Sequence, residues 1–251
     1  PDSFPVKACN IARAMTEDSY QLGVISVMIK NNKTPKNILL SLWPANYVLD
    51  YKKDEAPEDV LFLKYYYNQV PYVKRQVNKI SRFENLKYLF ASYKFNSKIF
   101  DILKYYRISH DEKNKDYYFT YEHGVAMDTT RLNILPSSTK TSARDGQFPL
   151  SAYSTKFLPA LADTCKKYGI NLMCYYMPRF YTDTVRIKQG LDFIRQTMQQ
   201  KNVPYFEFSP SDNPEFFEHK SWWADGLHLN EEGGKLQSSI LSRFASPYIK
   251  R

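Results

Sequence analysis

The stretch Glu17-Asp18-Ser19-Tyr20-Gln21-Leu22-Gly23-Val24-Ile25-Ser26-Val27-Met28-Ile29-Lys30 is followed, after a short polar turn, by Lys36-Asn37-Ile38-Leu39-Leu40-Ser41-Leu42. The first part carries apolar residues at Leu22, Ile25, Val27, Met28 and Ile29, which predicts a helix packed on a sheet. Thr16, Asp18 and Ser19 offer N-cap chemistry at its start. The second part is a continuous apolar run of strand length, as expected of a parallel strand covered on both faces. Ahead of both, Val6 to Ala12 reads as a short buried strand. Strand, helix, strand is a βαβ unit, and it sets the expected fold class.

The same grammar returns near the end of the chain. Leu150 to Tyr168 reads as a helix closed by Gly169, a C-cap residue. Ile170 to Met177 is a buried strand stopped by Pro178, and Thr182 to Lys201 is a helix with one charged face. Val203 to Phe208 is another strand, and Asn230 to Phe244 a final helix. Between the two halves, residues 51–149 are rich in Tyr, Lys and Asn. Leu61 to Tyr67, Val73 to Ile80 and Asn85 to Tyr105 look mainly helical there, so this region is expected to be an insertion forming a cap or side lobe. The whole predicts one α/β domain over residues 1–251, a doubly wound parallel sheet with a mainly helical insertion.

Composition narrows the function classes. The 251 residues hold 35 basic and 26 acidic side chains, a formal charge of +9. Such a balance favours an acidic polysaccharide, a phosphate-bearing polymer, a membrane surface or a nucleic acid, or else is a solvated basic surface. With 8 Gly against 14 Pro, Gly-rich nucleotide loops are not expected. No apolar run approaches the ~18 residues that span a bilayer. The chain begins at Pro1 without a leader, as a processed or trimmed segment would. Cys9, Cys165 and Cys174 sit in apolar settings without CxxC spacing and are expected to be buried thiols. His110 and His123 lack ligand spacing, so no metal is implied. Tyr–Lys interleaving occurs without any RNA- or DNA-binding signature, and no nucleic acid is expected as partner.

Ligands of such sheets collect beyond the carboxyl ends of the strands. The segment after the last predicted strand is Phe217-Glu218-His219-Lys220-Ser221-Trp222-Trp223-Ala224-Asp225-Gly226-Leu227-His228-Leu229-Asn230. Asp225 and His228, three residues apart in a turn with Gly226, have the spacing for a carboxylate to hold an imidazole as general base. A capping Asp and a packed His at a helix entrance fit the same spacing. Arg179, at a strand end, is placed to meet an anionic substrate or to be solvated. Trp222 and Trp223 are candidates to stack on sugar rings, although core packing accounts for at least one of them. His219 is expected at the surface.

Ala224-Asp225-Gly226-Leu227-His228-Leu229-Asn230-Glu231-Glu232-Gly233-Gly234-Lys235 resembles the last block of the SGNH/GDSL hydrolase superfamily, which supplies the Asp and His of a Ser-Asp-His triad. The preceding KKYGINLMCYYMP and KNVPYFEFS layout is similar to that of cell-envelope members, those like DltD and the alginate-acetylation proteins. The resemblance covers residues 1–50 and 150–245 as a pattern and not the insertion. It implies an SGNH-type, flavodoxin-like sheet with His228 and Asp225 catalytic. It also implies main-chain donation near Ala14 and the side chain of Asn46, or Ser41, at an oxyanion hole. The implied substrate is an acyl-bearing glycan or glycolipid of a bacterial cell envelope or periplasm, with membrane association among the implied settings, and no cofactor is required.

The sequence departs from that family in two places. No GDS-like turn is present; Asp2-Ser3 follows Pro1 and lacks the intervening helix, so the nucleophile is expected upstream of residue 1. The second block has Asn10 but no glycine, with Ile11-Ala12-Arg13-Ala14-Met15 in its place. Two readings therefore stand: a serine esterase or O-acyltransferase, and a non-catalytic SGNH-like glycan-binding or assembly protein that lacks the nucleophile.

Overall fold

The computed structural model describes residues 6, 8–11, 16–49, 58–81, 83–88, 148–177, 179, 184–223 and 228–250. Three strands, β1 (Asn37–Leu42), β2 (Asn171–Tyr176) and β3 (Tyr205–Glu207), form one parallel sheet in the order β1-β2-β3. Asn37 pairs with Asn171 and Leu42 with Tyr176 along the first interface, and Cys174 with Tyr205 along the second. The helices are α1 (Asp18–Lys30), α2 (Pro71–Ile80), α3 (Glu84–Lys87), α4 (Phe157–Lys167), α5 (Thr184–Lys201), α6 (Glu215–Glu218) and α7 (Glu231–Ala245). The strands and helices expected of the two outer segments are present, the helix read over Leu150 to Tyr168 only as Phe157–Lys167 and the strand read over Val203 to Phe208 only as Tyr205–Glu207, with one exception. Val6 and residues 8–11 form no strand, and residues 8–11 are exposed. Lys7 and Asn10 interrupt that apolar run, and a strand needs a neighbour to take its backbone hydrogen bonds.

The period of two along the strands sorts the core into two layers. Ile38, Leu40 and Leu42 of β1, with Leu172 and Cys174 of β2, meet Leu22 and Ile25 of α1, Leu158 and Leu161 of α4, and Ile194 and Met198 of α5. On the opposite face Leu39, Tyr175 and Phe206 meet Phe216, Trp223, Ile240 and Leu241, so α6 and α7 cover that side. The architecture is α/β with a parallel sheet covered on both faces, which explains why β1 and β2 read as continuous apolar runs.

A third cluster lies on the far side of α1. Tyr20 and Val24 of α1 pack with Val60 and Leu63 of a 3-10 helix (Glu58–Tyr66), with Val73 and Val77 of α2, and with Tyr67 stacked on Tyr88 at 3.9 Å. The described part of the expected insertion is therefore helical and seated on α1. Its two ends are stitched together: Val48 and Leu150 form an antiparallel bridge, Leu49 N–H donates to Pro149 C=O at 2.9 Å, and Ser151 N–H to Tyr47 C=O at 2.8 Å. The expected continuation of a helix to Tyr105, together with His110 and His123, falls outside the described residues.

Cys165 and Cys174 are buried and reduced, as expected, and burial pushes the Cys165 thiol up to about 12. Cys9 is a correction: it is a free thiol on an exposed segment, because the strand that would have buried it does not form.

Candidate functional site at the carboxyl edge of the sheet

Each βα and αβ connection places specific residues at the carboxyl ends of the strands. The helix α1 runs back along the sheet before β1 begins, so its first turn lies beside the end of β1; α4 does the same for β2. Trp43 follows β1, and Pro44–Tyr47 forms a 3-10 turn in which Asn46 N–H donates to Trp43 C=O at 3.0 Å. Arg179 follows β2. After β3 come α6, a 3-10 turn (Lys220–Trp222) and the entrance to α7.

The entrance to α7 is held by a set of backbone contacts. Trp223 and Leu229 form an antiparallel bridge across residues 224–228. Asn230 N–H donates to Trp222 C=O at 2.9 Å, and its side-chain NH₂ donates to Ser221 C=O. The same side chain accepts from Gly233 N–H at 3.1 Å, so Asn230 is the N-cap of α7. His228 lies two residues before this cap and is exposed. Asp225 and Ala14 lie outside the described residues.

The small-residue run at the start of α7 has a packing reason. A Cβ on Gly233 would stand 2.6 Å from Trp222 C=O and 2.9 Å from a Leu229 methyl, whereas one on Gly234 would meet nothing within 4 Å. Gly233 thus lets the first turn of α7 lie against the segment that carries His228. Gly233→Ala is expected to push Trp222 and Leu229 apart from the cap and to cost about 1–3 kcal/mol. Gly234→Ala should leave stability equal or slightly raised, because alanine favours a helix over glycine by about 1 kcal/mol. Paired thermal melts check this, and equal melting temperatures for the two variants would refute it.

The two adjacent tryptophans divide by direction. Trp223 is fully buried, its indole N–H donating to Phe216 C=O at 2.6 Å, so of the two readings given for it core packing holds and sugar stacking does not. Trp222 is half-buried, with the exposed His219 ring stacked on it at 4.5 Å. Asn46 is half-buried on the 3-10 turn. Ser41, the alternative to it, is hydrogen-bonded to the side chain of Tyr175. Arg179 lies over the Trp43 ring, its guanidinium carbon 4.1 Å from the ring centroid.

Asp18, at the first position of α1, is buried and accepts a hydrogen bond from the Tyr47 hydroxyl. Burial pushes its carboxyl from 3.8 up to about 6 against the opposing effect of that bond, with Glu17 and Asp59 raising it further. Asp59 is also buried; burial lifts it to about 6 while Glu17 N–H donates to its Oδ2 at 2.7 Å. Ser154 of the turn before α4 donates to Glu17 Oε2 at 3.4 Å. Asp18 reads in sequence as N-cap chemistry; the long-range partners that bury it and tie Glu17 into the same network are separated from them by tens of residues. Among the described residues no three His, Cys, Asp or Glu side chains are grouped to hold a metal ion.

In comparison with known proteins, no family model, no curated protein and no solved structure matches this chain.

Proposed function

We propose that the chain is an SGNH-type serine esterase or O-acyltransferase acting on an acyl-bearing glycan or glycolipid of a bacterial cell envelope. The observation that carries the reading is the exposed imidazole of His228 at the rim of a parallel sheet, on a segment pinned by the Trp223–Leu229 bridge and the Asn230 cap. A base that works on a bound substrate must be reachable, and catalytic groups of parallel α/β sheets lie at this rim. The parallel sheet with helices on both faces is in keeping with a doubly wound SGNH-type fold.

In this reading a serine upstream of Pro1 attacks the acyl carbonyl. His228 takes its proton and returns it to the leaving oxygen, and Asp225 orients the ring. Main-chain N–H groups near Ala14 and the amide of Asn46 donate to the oxyanion. The acyl group then passes to water in an esterase or to a sugar hydroxyl in a transferase.

The test is p-nitrophenyl acetate hydrolysis by the chain carrying the residues encoded ahead of Pro1, compared with its His228→Ala variant. Loss of a triad histidine is expected to lower kcat by at least about a thousandfold. Equal rates would remove His228 from catalysis and leave the non-catalytic glycan-binding reading.

A further inference from the structure

The amino-terminal edge of the sheet, opposite the rim that carries His228, gathers the ends of four helices. Before entering a strand, α1, α4 and α5 each close with the same turn: Lys33 N–H donates to Met28 C=O at 2.9 Å, Ile170 N–H to Cys165 C=O at 2.8 Å and Val203 N–H to Met198 C=O at 2.9 Å. Asn32, Gly169 and Asn202 supply the left-handed residue of each turn, at φ of 55°, 69° and 53°. The tail beyond α7 is pinned to the same edge. Lys250 N–H donates to Asn37 Oδ1 at 2.8 Å, Asn37 Nδ2 to Lys250 C=O at 2.8 Å, and Asn171 Nδ2 to Tyr248 C=O. Asn37 and Asn171 are the paired first residues of β1 and β2.

Residues 30–37, 165–171, 200–205 and 245–250, which form the described part of this edge, hold seven lysines and no acid or arginine. Lys201 is paired with Asp163 at 2.7 Å. Lys30, Lys33, Lys36, Lys166, Lys167 and Lys250 are exposed, and among the described residues none of these six forms an ion pair. Lysines at helix ends also answer the helix dipole, but four carbonyl ends carry only roughly −0.5 each against six full charges. Tyr168 and Tyr248 stand exposed among them, with Lys167 Nζ 5.4 Å from the centroid of the Tyr168 ring. Lysine is a compact, strongly hydrated point charge and not a fork for one particular anion. Lysines mixed with tyrosines are the composition that sits at the headgroup level of a bilayer.

We propose that this edge docks on the surface of an anionic phospholipid bilayer, with the six lysines among the phosphates and the two tyrosines at headgroup level. At about 3.3 Å per residue, the six residues of β1 hold the His228 rim about 20 Å from that surface. The rim then faces glycan polymer beyond the headgroups, not the headgroups themselves. That last step deepens the proposed function by choosing glycan over glycolipid, and it rests on that reading; the docking does not.

The test sediments the 251-residue chain with vesicles of phosphatidylcholine and of an equimolar phosphatidylcholine–phosphatidylglycerol mixture. Binding to the mixed vesicles alone is expected, with release at about 0.5 M salt. Lys33→Gln with Lys36→Gln, and Lys166→Gln with Lys167→Gln, should each weaken it about twentyfold, or about fivefold per lysine. Lys188→Gln with Lys220→Gln removes the same charge from exposed positions toward the opposite rim and should change it less than about twofold. Equal binding to both vesicles, or an equal loss in that control pair, would overturn the docking. So would dextran sulfate in solution binding as tightly as the mixed vesicles, charge for charge, which would make the edge a site for a soluble polyanion. Brominated phosphatidylglycerol reads the orientation. Trp43, Trp222 and Trp223, the three tryptophans of the chain, lie toward the opposite rim, so the bound parent should keep its fluorescence, whereas Tyr168→Trp should add emission that the bromines quench. Quenching of the parent chain would put the His228 rim on the bilayer and overturn the proposal. Vesicle binding without any ester hydrolysis by the longer chain would refute the acyl mechanism and keep the docking. Hydrolysis lost only in His228→Ala, with no vesicle binding, would do the reverse.

Discussion

Gly190→Ala is expected to be the most damaging small substitution in the described chain. Gly190 lies within α5, where glycine is otherwise a poor choice, since alanine favours a helix by about 1 kcal/mol. The reason for it is the 3-10 turn Pro44–Tyr47. A Cβ on Gly190 would stand 2.1 Å from Pro44 C=O oxygen and 2.5 Å from its carbon. Those are backbone atoms, so no rotamer change relieves the clash; the helix or the turn must move. The turn has little room, because Tyr47 is buried, sits 4.9 Å from the Phe193 ring of α5, donates to Asp18 and accepts from Ser151 N–H. Overpacking of this kind costs about 3 kcal/mol, which for a chain of this size lowers Tm by about 6–12 °C. Trp43 and Asn46 flank the displaced carbonyl, so the cation–π contact with Arg179 should weaken with it, and tryptophan fluorescence reads that change. A melting temperature equal to that of the parent chain would show that α5 and the turn are not in this close contact.

The contrast between Gly190 and the strands shows what a single sequence reveals. β1 and β2 were legible because strands covered on both faces have no alternation to misread, and helices α1, α4, α5 and α7 were legible from apolar spacing, although the start of α4 was not. Gly190, by contrast, answers a carbonyl far away in the chain, and nothing in its own neighbourhood announces it. For Trp222 and Trp223 the sequence offered sugar stacking, with core packing for at least one of them, and only the fold shows that Trp223 is the buried one. Val6 and residues 8–11 form no strand because short apolar runs acquire that structure only from a pairing partner. The candidate site divides in the same way. His228, Asn46 and Arg179 are candidates by local motif and position, whereas the seat of Arg179 on Trp43 required the pairing of β1 with β2.

Asp18→Asn should make the stability of the protein less dependent on pH, in a direction that the Asp18 environment fixes. In the folded chain burial raises this carboxyl to about 6, and in the unfolded chain it titrates near 3.8. Below 3.8 both states are protonated, and the native state keeps the full benefit of a neutral, hydrogen-bonded group. Between 3.8 and about 6 the folded protein binds the proton that the unfolded chain has released, so stability falls as pH rises. Above about 6 the loss is complete and constant; at 1.36 kcal/mol per pH unit it amounts to about 3 kcal/mol. Asparagine cannot ionise, and its carbonyl oxygen still accepts from the Tyr47 hydroxyl. The variant should therefore match the parent at pH 3.5 and exceed it by up to about 3 kcal/mol at pH 7. Asp59, lifted to about 6 by its own burial, remains in the variant and leaves a residual slope over the same window. Urea unfolding at pH 3.5, 5 and 7 measures the difference directly. A variant less stable than the parent at pH 7, or one with an unchanged slope between pH 4 and 6, would mean that Asp18 is not held in the dry, Tyr47-bound position described here.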